Sequence, residues 1–161
     1  MTVCIPSLRR YARALVGNRS MAEDLVQDTL ERGWSRLNSW QHGSDMRAWL
    51  FSIMHNLFVD TVRRQRMSTE AYDEDRGASD LSEPQMNRML VMDLHTSLSK
   101  LPMEQREVLL LVSLEELSYE EVANTLSIPV GTVMSRLFRA REKLRSLMEV
   151  RESSNLLRMV K

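Results

Sequence analysis

Apolar residues recur at helical spacing toward both ends of the chain, and no convincing alternating strand pattern appears. The pattern predicts an all-α protein. A first helix is expected from about Ser7 to Val16, ended by Gly17-Asn18. Ser20 followed by Glu23 has the spacing of a capping box and predicts the start of a second helix. On that helix Val26, Leu30, Trp34 and Leu37 form an apolar stripe. Asp24, Gln27, Asp28 and Glu31, at i, i+3, i+4 and i+7, form a polar stripe on a different face. Asp45 opens a third helix, with Ser44 as its expected cap, and Leu50, Ile53, Met54, Leu57 and Phe58 point toward a core. Asn56, Asp60 and Arg63 share another face, and the helix ends in Arg63-Arg64-Gln65-Arg66.

From Met67 to about Pro84 the helical pattern stops. MSTEAYDEDRGASDLSEP is polar, acidic and poor in branched apolar residues, as linkers are. The expected architecture is therefore two small helical domains, residues 1–66 and 92–161, joined by a flexible acidic linker over 67–91. The second domain begins with a short helix from Met92 to Ser99. Leu101-Pro102 starts another, with proline at the first helical position, where its missing N–H costs nothing. Val108 to Val112 should be buried. Ser118 and Glu121 repeat the capping-box spacing and open a helix from Tyr119 to Leu126. A tight connection through Ser127-Ile128 leads to a long helix from about Pro129 to Met148. The tail from Glu149 to Lys161 either extends that helix or frays.

The last two helices have helix-turn-helix spacing: a short amphipathic helix, a turn of three to four residues, and a longer basic helix. Val133, Leu137, Ala140, Leu144 and Leu147 repeat on the helical period and should pack inward, leaving Thr132, Ser135, Arg136, Arg139 and Lys143 together on the other side. Small hydroxyls near a helix N-terminus permit close approach to a DNA groove. Guanidinium groups pair bidentately with guanine or bind phosphate. By itself this pattern also describes a helical hairpin with a solvated basic face.

Charge sharpens the picture. The formal net charge is zero, which argues at first against nucleic acid. The charges are nevertheless segregated: +4 from Met1 to Arg66, −4 from Met67 to Met92, −5 from Asp93 to Leu126, and +5 from Ser127 to Lys161. Two basic and two acidic segments suit a protein with two nucleic-acid contacts and protein partners. Cys4 is the single cysteine, so no internal disulfide forms, and His42, His55 and His95 lack metal-ligand spacing. No metal, cofactor or small-molecule substrate is expected. There is no Gly-rich phosphate loop or nucleophile elbow, and the acidic residues are expected on exposed helical faces or in the linker, so an enzyme is not indicated. No apolar run approaches a membrane span and no signal-peptide pattern opens the chain; a cytoplasmic protein without membrane insertion is expected.

Three blocks, in order, resemble one family. LRRYARALVGNRSMAEDLVQDTLERGW is similar to the start of the second region of extracytoplasmic-function (ECF) sigma factors, and DMRAWLFSIMHNLFVDTVRRQR to its continuation. YEEVANTLSIPVGTVMSRLFRAREKLR resembles their promoter-binding fourth region, with its GTV-x-SR-x-x-RAR string. The first block is similar in particular to the sigma factors of the alphaproteobacterial general stress response. The resemblance implies a promoter-specificity subunit of bacterial RNA polymerase. Asp24, Gln27 and Asp28, with Glu31 on the same stripe, would dock on a coiled coil of the polymerase's largest subunit. Asp45, Met46, Asn56, Asp60, Arg63 and Arg64 would engage the −10 element, and Thr132, Ser135, Arg136, Arg139 and Lys143 the −35 element. Arg141 and Arg145 would meet phosphate or acidic protein surface. Met134 stands where the family commonly has a basic residue. An anti-sigma protein is implied as a further partner. Trp49 would be either a core residue or a stacking wedge, its place beside Leu50 favouring the core. The competing readings are a helix-turn-helix regulator that acts without core polymerase, and an interaction module that no longer binds promoters.

Overall fold

The computed structural model describes residues 1–67 and 85–159, with side chains described for 1–65, 67 and 92–149. Residues 68–84, most of the expected linker, lie outside the described residues. Seven α-helices and no strand occur among the described residues.

Helix α1 (Ile5–Val16) buries Leu8, Tyr11, Ala12 and Leu15, one face at i, i+3, i+4 and i+7. It stops at Gly17, which takes a left-handed φ of 82° and donates its N–H to the Arg13 carbonyl at 3.0 Å. Helix α2 (Arg19–Ser35) follows at once, and here two expectations fail. The cap is Asn18, whose side chain accepts from the Met21 N–H at 3.0 Å, and Ser20 lies inside the helix. With the cap settled two residues earlier, Glu23 is released to bond Arg9 and Arg13 of α1. Nor is the buried face Val26-Leu30-Trp34-Leu37. It is Ala22, Leu25, Val26, Thr29 and Gly33, and Trp34 is 74% exposed. Small residues win this face because the helices approach closely: a Cβ on Gly33 would lie 2.8 Å from Leu50 Cδ2 of helix α3.

Helix α3 (Met46–Met67) starts where expected, but Asp45 itself bonds the Arg47 N–H at 2.8 Å, while the Ser44 hydroxyl turns back to the Gln41 carbonyl. Leu50, Phe51, Ile53 and Met54 are buried, and Phe51 meets Tyr11 edge-on with ring centroids 5.0 Å apart. Trp49 packs against the same core, in the structural role its neighbour Leu50 suggested.

Helix α4 (Gln85–Ser99) begins ahead of the expected Met92. Pro102 is the N-cap of helix α5 (Met103–Ser113) rather than its first helical residue, its ψ of 144° being extended. The Val108–Leu111 run is buried as its composition required, with Val112 packed against the core. Helix α6 (Tyr119–Leu126) carries both bonds of the capping box: Glu121 N–H to Ser118 Oγ at 3.2 Å, and Ser118 N–H to Glu121 Oε2 at 2.7 Å. Helix α7 (Val130–Met159) runs through most of the C-terminal tail. The two halves do not stand apart. Helix α1 packs on α4 and α5, α3 packs along α6, and one continuous apolar core runs through both halves.

Candidate functional site

The helix-turn-helix is built by short-range rules. Ser127 ends α6 in the left-handed region (φ 54°, ψ 45°), and the Ile128 N–H returns to the Ala123 carbonyl at 3.0 Å. Pro129 then accepts from the N–H groups of Thr132 and Val133, starting α7. Val133, Leu137 and Ala140 are fully buried, which fixes the rotation of α7. Ser135, Arg139 and Lys143 are consequently exposed, while Thr132 and Arg136 are half-buried on the same side. The Ser135 hydroxyl donates to the Thr132 carbonyl at 3.1 Å. A separate exposed strip of α7 carries Met134 (54%) and Phe138 (68%), so Met134 faces away from the centre of the basic face.

In the first half, Asp24, Gln27, Asp28 and Glu31 are all exposed on α2, with Gln27 Nε2 donating to Glu31 Oε1 at 3.0 Å. Trp34 continues this stripe, since Gln27, Glu31 and Trp34 stand at i, i+4 and i+7. On α3, Asn56, Asp60, Arg63 and Arg64 are exposed; Asp45 is an exposed cap and Met46 is half-buried against the core. A groove of about 480 Å³ joins the two sets, lined by Asp28, Glu31 and Arg32 of α2 and by Asp60 and Arg64 of α3. Asp45 and Met46, at the other end of α3, do not line it. The helix-turn-helix residues form a third surface.

The seam between the halves holds ionic residues that were expected on exposed faces. Glu107 and Glu115 are each 1% exposed. Glu115 receives a fork from Arg10 of α1, Nε to Oε1 and Nη2 to Oε2, both at 3.0 Å. Glu107 Oε1 lies 2.7 Å from His55 Nδ1 of α3. Arg106 donates to the Leu15 carbonyl of α1 at 2.8 Å and to the Ser99 and Leu101 carbonyls of its own half. Bonding to Glu115 raises the pKa of Arg10, and burial lowers that of Arg106. The Tyr11 hydroxyl is buried without a hydrogen-bond partner among the described residues. Burial first, then the charges of Glu107 and Glu115, push its pKa well above 10. One sequence signal pointed here: Glu107 shares a helix face with Leu111 at i+4, an acid in line with a core position.

Among the described residues no group of three or more His, Cys, Asp or Glu is placed to hold a metal ion. Cys4 is a free, half-buried thiol. No helix of the described residues is long and apolar enough to cross a membrane.

A capped helix-turn-helix with a basic outer face, packed against a three-helix unit, is the arrangement of a DNA-binding regulatory protein. Comparison with known proteins specifies which kind. Residues 1–55 match the family described as the Sigma2 domain of PhyR, and residues 92–144 match Sigma-70, region 4. The chain is 42% identical over 147 residues to the ECF RNA polymerase sigma factor EcfG of Rhodopseudomonas palustris, covering 91% of this chain and 81% of that protein. It is 39% identical to the ECF RNA polymerase sigma factor SigE of Mycolicibacterium smegmatis, covering 84% of this chain and 55% of that one. Its structure is similar to that of the sigma factor RpoE in complex with the anti-sigma factor NepR from Bartonella quintana. The TM-score is 0.81 at 33% identity, with 92% of this chain and 94% of that chain covered. The chain belongs to the ECF sigma factors of bacterial RNA polymerase. It is a promoter-specificity subunit, binding core polymerase and directing initiation through the −10 and −35 elements.

Proposed function

We propose that each of the three exposed surfaces performs one part of this task. The α2 stripe of Asp24, Gln27, Asp28 and Glu31 docks on the coiled coil of the polymerase's largest subunit, with Trp34 as an aromatic contact at its end. Exposed aromatic side chains beside polar ones are the usual anchors of protein interfaces. Asn56, Asp60, Arg63 and Arg64 of α3, with Asp45 and Met46 at its start, engage the −10 element, where unpaired bases need polar contacts and a cationic path for the backbone. Thr132, Ser135, Arg136, Arg139 and Lys143 read the −35 element in the major groove. The observation that carries this assignment is the rotation of α7, which buries Val133, Leu137 and Ala140 and leaves the hydroxyl-guanidinium face outward.

The chain is not itself an enzyme, works in the bacterial cytoplasm, and leaves catalysis to the polymerase. An anti-sigma protein is its regulatory partner, as the complex of the similar sigma factor RpoE with the anti-sigma factor NepR supports. Transcription in vitro with core polymerase tests the reading. The Asp24→Ala/Gln27→Ala double variant, with its helical content intact, should lose promoter-dependent transcripts and core binding together. Undiminished core binding by that variant would sink the α2 assignment.

A further inference from the structure

We infer that the ionic seam is a latch that holds this sigma factor in a self-inhibited, closed form without any second protein. The proposal rests on the promoter-reading assignment above.

Among the described residues, three polar side chains reach across the seam. Arg10 reaches Glu115, His55 reaches Glu107, and Arg106 reaches the Leu15 carbonyl at the end of α1. Both carboxylates are buried at the seam, and the first half supplies each with a side-chain partner. The buried Glu115 carboxylate is stable only while the Arg10 guanidinium stays in place. At the same seam, Gly17 lies so close to α4 that a Cβ there would stand 2.8 Å from His95 Cε1. The first helix of the helix-turn-helix, α6, packs directly on α3, the helix assigned to the −10 element.

Geometry makes the closed form incompetent for two-element recognition. Elements named −10 and −35 are centred about 25 base pairs apart, or about 85 Å at 3.4 Å per pair. A compact chain of this length has a radius of gyration of about 15 Å, hence a diameter of about 40 Å. The closed molecule does not span both elements. The proposed reading faces are mostly exposed in the closed form, so inhibition acts through their separation rather than their burial. Apparent promoter affinity is then the intrinsic affinity reduced by the fraction of molecules that are open. A regulator that prefers the closed form would tighten a state the chain already adopts.

Arg10→Glu is the test, because Arg10 is half-exposed and its reversal leaves the core of the first half untouched while placing an acid against Glu115 and Glu116. Small-angle scattering of the free full chain should show an increased radius of gyration at unchanged helical content. Core-dependent transcription from a promoter bearing both elements should rise about tenfold at subsaturating sigma factor. Adding Glu115→Arg should restore the compact radius and the lower transcription. An unchanged radius for Arg10→Glu, or expansion without a gain in transcription, overturns the latch. If the doubly reversed chain does not fold, Arg10→Ala decides on the same two readouts. Wild-type chain that gives no promoter-dependent transcript with core polymerase refutes the underlying promoter reading instead, and the scattering result still reports on closure.

Discussion

Helix α1 sends arginines in two directions, and the two destinations behave differently. Arg9 and Arg13 reach Glu23 of α2 within the first half, a carboxylate 36% exposed to solvent. Arg10, between them in sequence, reaches Glu115 in the second half, whose carboxylate side chain is fully buried. The distances are alike, 2.9–3.0 Å. The surroundings decide their value. Exposed pairs contribute 0–1 kcal/mol in typical measurements, whereas removing one partner of a buried pair costs roughly 3–5 kcal/mol because the other charge is stranded. The same three residues of α1 therefore trim one domain's surface and bind the two domains together.

Arg10→Ala should give the largest effect, destabilising the closed arrangement by about 3 kcal/mol, with the half-exposed position of Arg10 setting it at the low end for a buried pair. The loss should appear as separation of the halves in scattering before any loss of helicity by circular dichroism. Gly17→Ala comes next, at about 2 kcal/mol. It combines a left-handed φ of 82° with a Cβ driven against His95, and urea unfolding measures it. Ser118→Ala removes the cap of α6 inside the second half and should cost about 1 kcal/mol by the same measurement. Its effect on −35 binding should exceed any effect on core binding, because α6 supports the reading helix.

Glu23→Ala should be the smallest, under about 1 kcal/mol. It also carries a pH signature. The hydrogen bond from Arg13, with Arg9 adding to it, holds the Glu23 carboxyl below its ordinary 4.5. A depressed carboxyl pKa contributes stability that is present above the unfolded-state value and lost as pH falls through the folded one. The difference between wild type and Glu23→Ala should therefore be full at pH 7, begin to fall near pH 4.5 and vanish once the pH is below the lowered folded-state value, as urea midpoints along an acid series will show. A difference that persists in acid would mean that Glu23 acts through packing instead.

Local chemistry made much of the molecule legible. The Ser118–Glu121 capping box, the Val108–Leu111 core run and the inward row of Val133, Leu137 and Ala140 follow from rules acting over a few residues, and all are found. The positions where reading failed were those with two locally acceptable answers. Asn18 and Ser20 are both good caps, and Asn18 prevailed beside left-handed Gly17. On α2, Trp34 is the more hydrophobic residue, but Gly33 faces α3 because only a residue without a Cβ fits against Leu50. Of the candidate surface residues, the α2 stripe and the basic face of α7 could be placed from helical period alone. Asp45 differs: the structure shows that its carboxylate bonds the start of α3.

The sequence by itself determined an all-α chain with a capped helix-turn-helix, exposed polar stripes on α2 and α7, and segregated charge. Each of these depends on spacing along one helix or across one turn. Tertiary structure alone decided that the halves share a core and that Glu107 and Glu115 lie buried in the seam. The cause is physical distance along the chain. Arg10 meets Glu115 across 105 positions and His55 meets Glu107 across 52, and no short-range rule assigns a partner that the fold supplies from so far away.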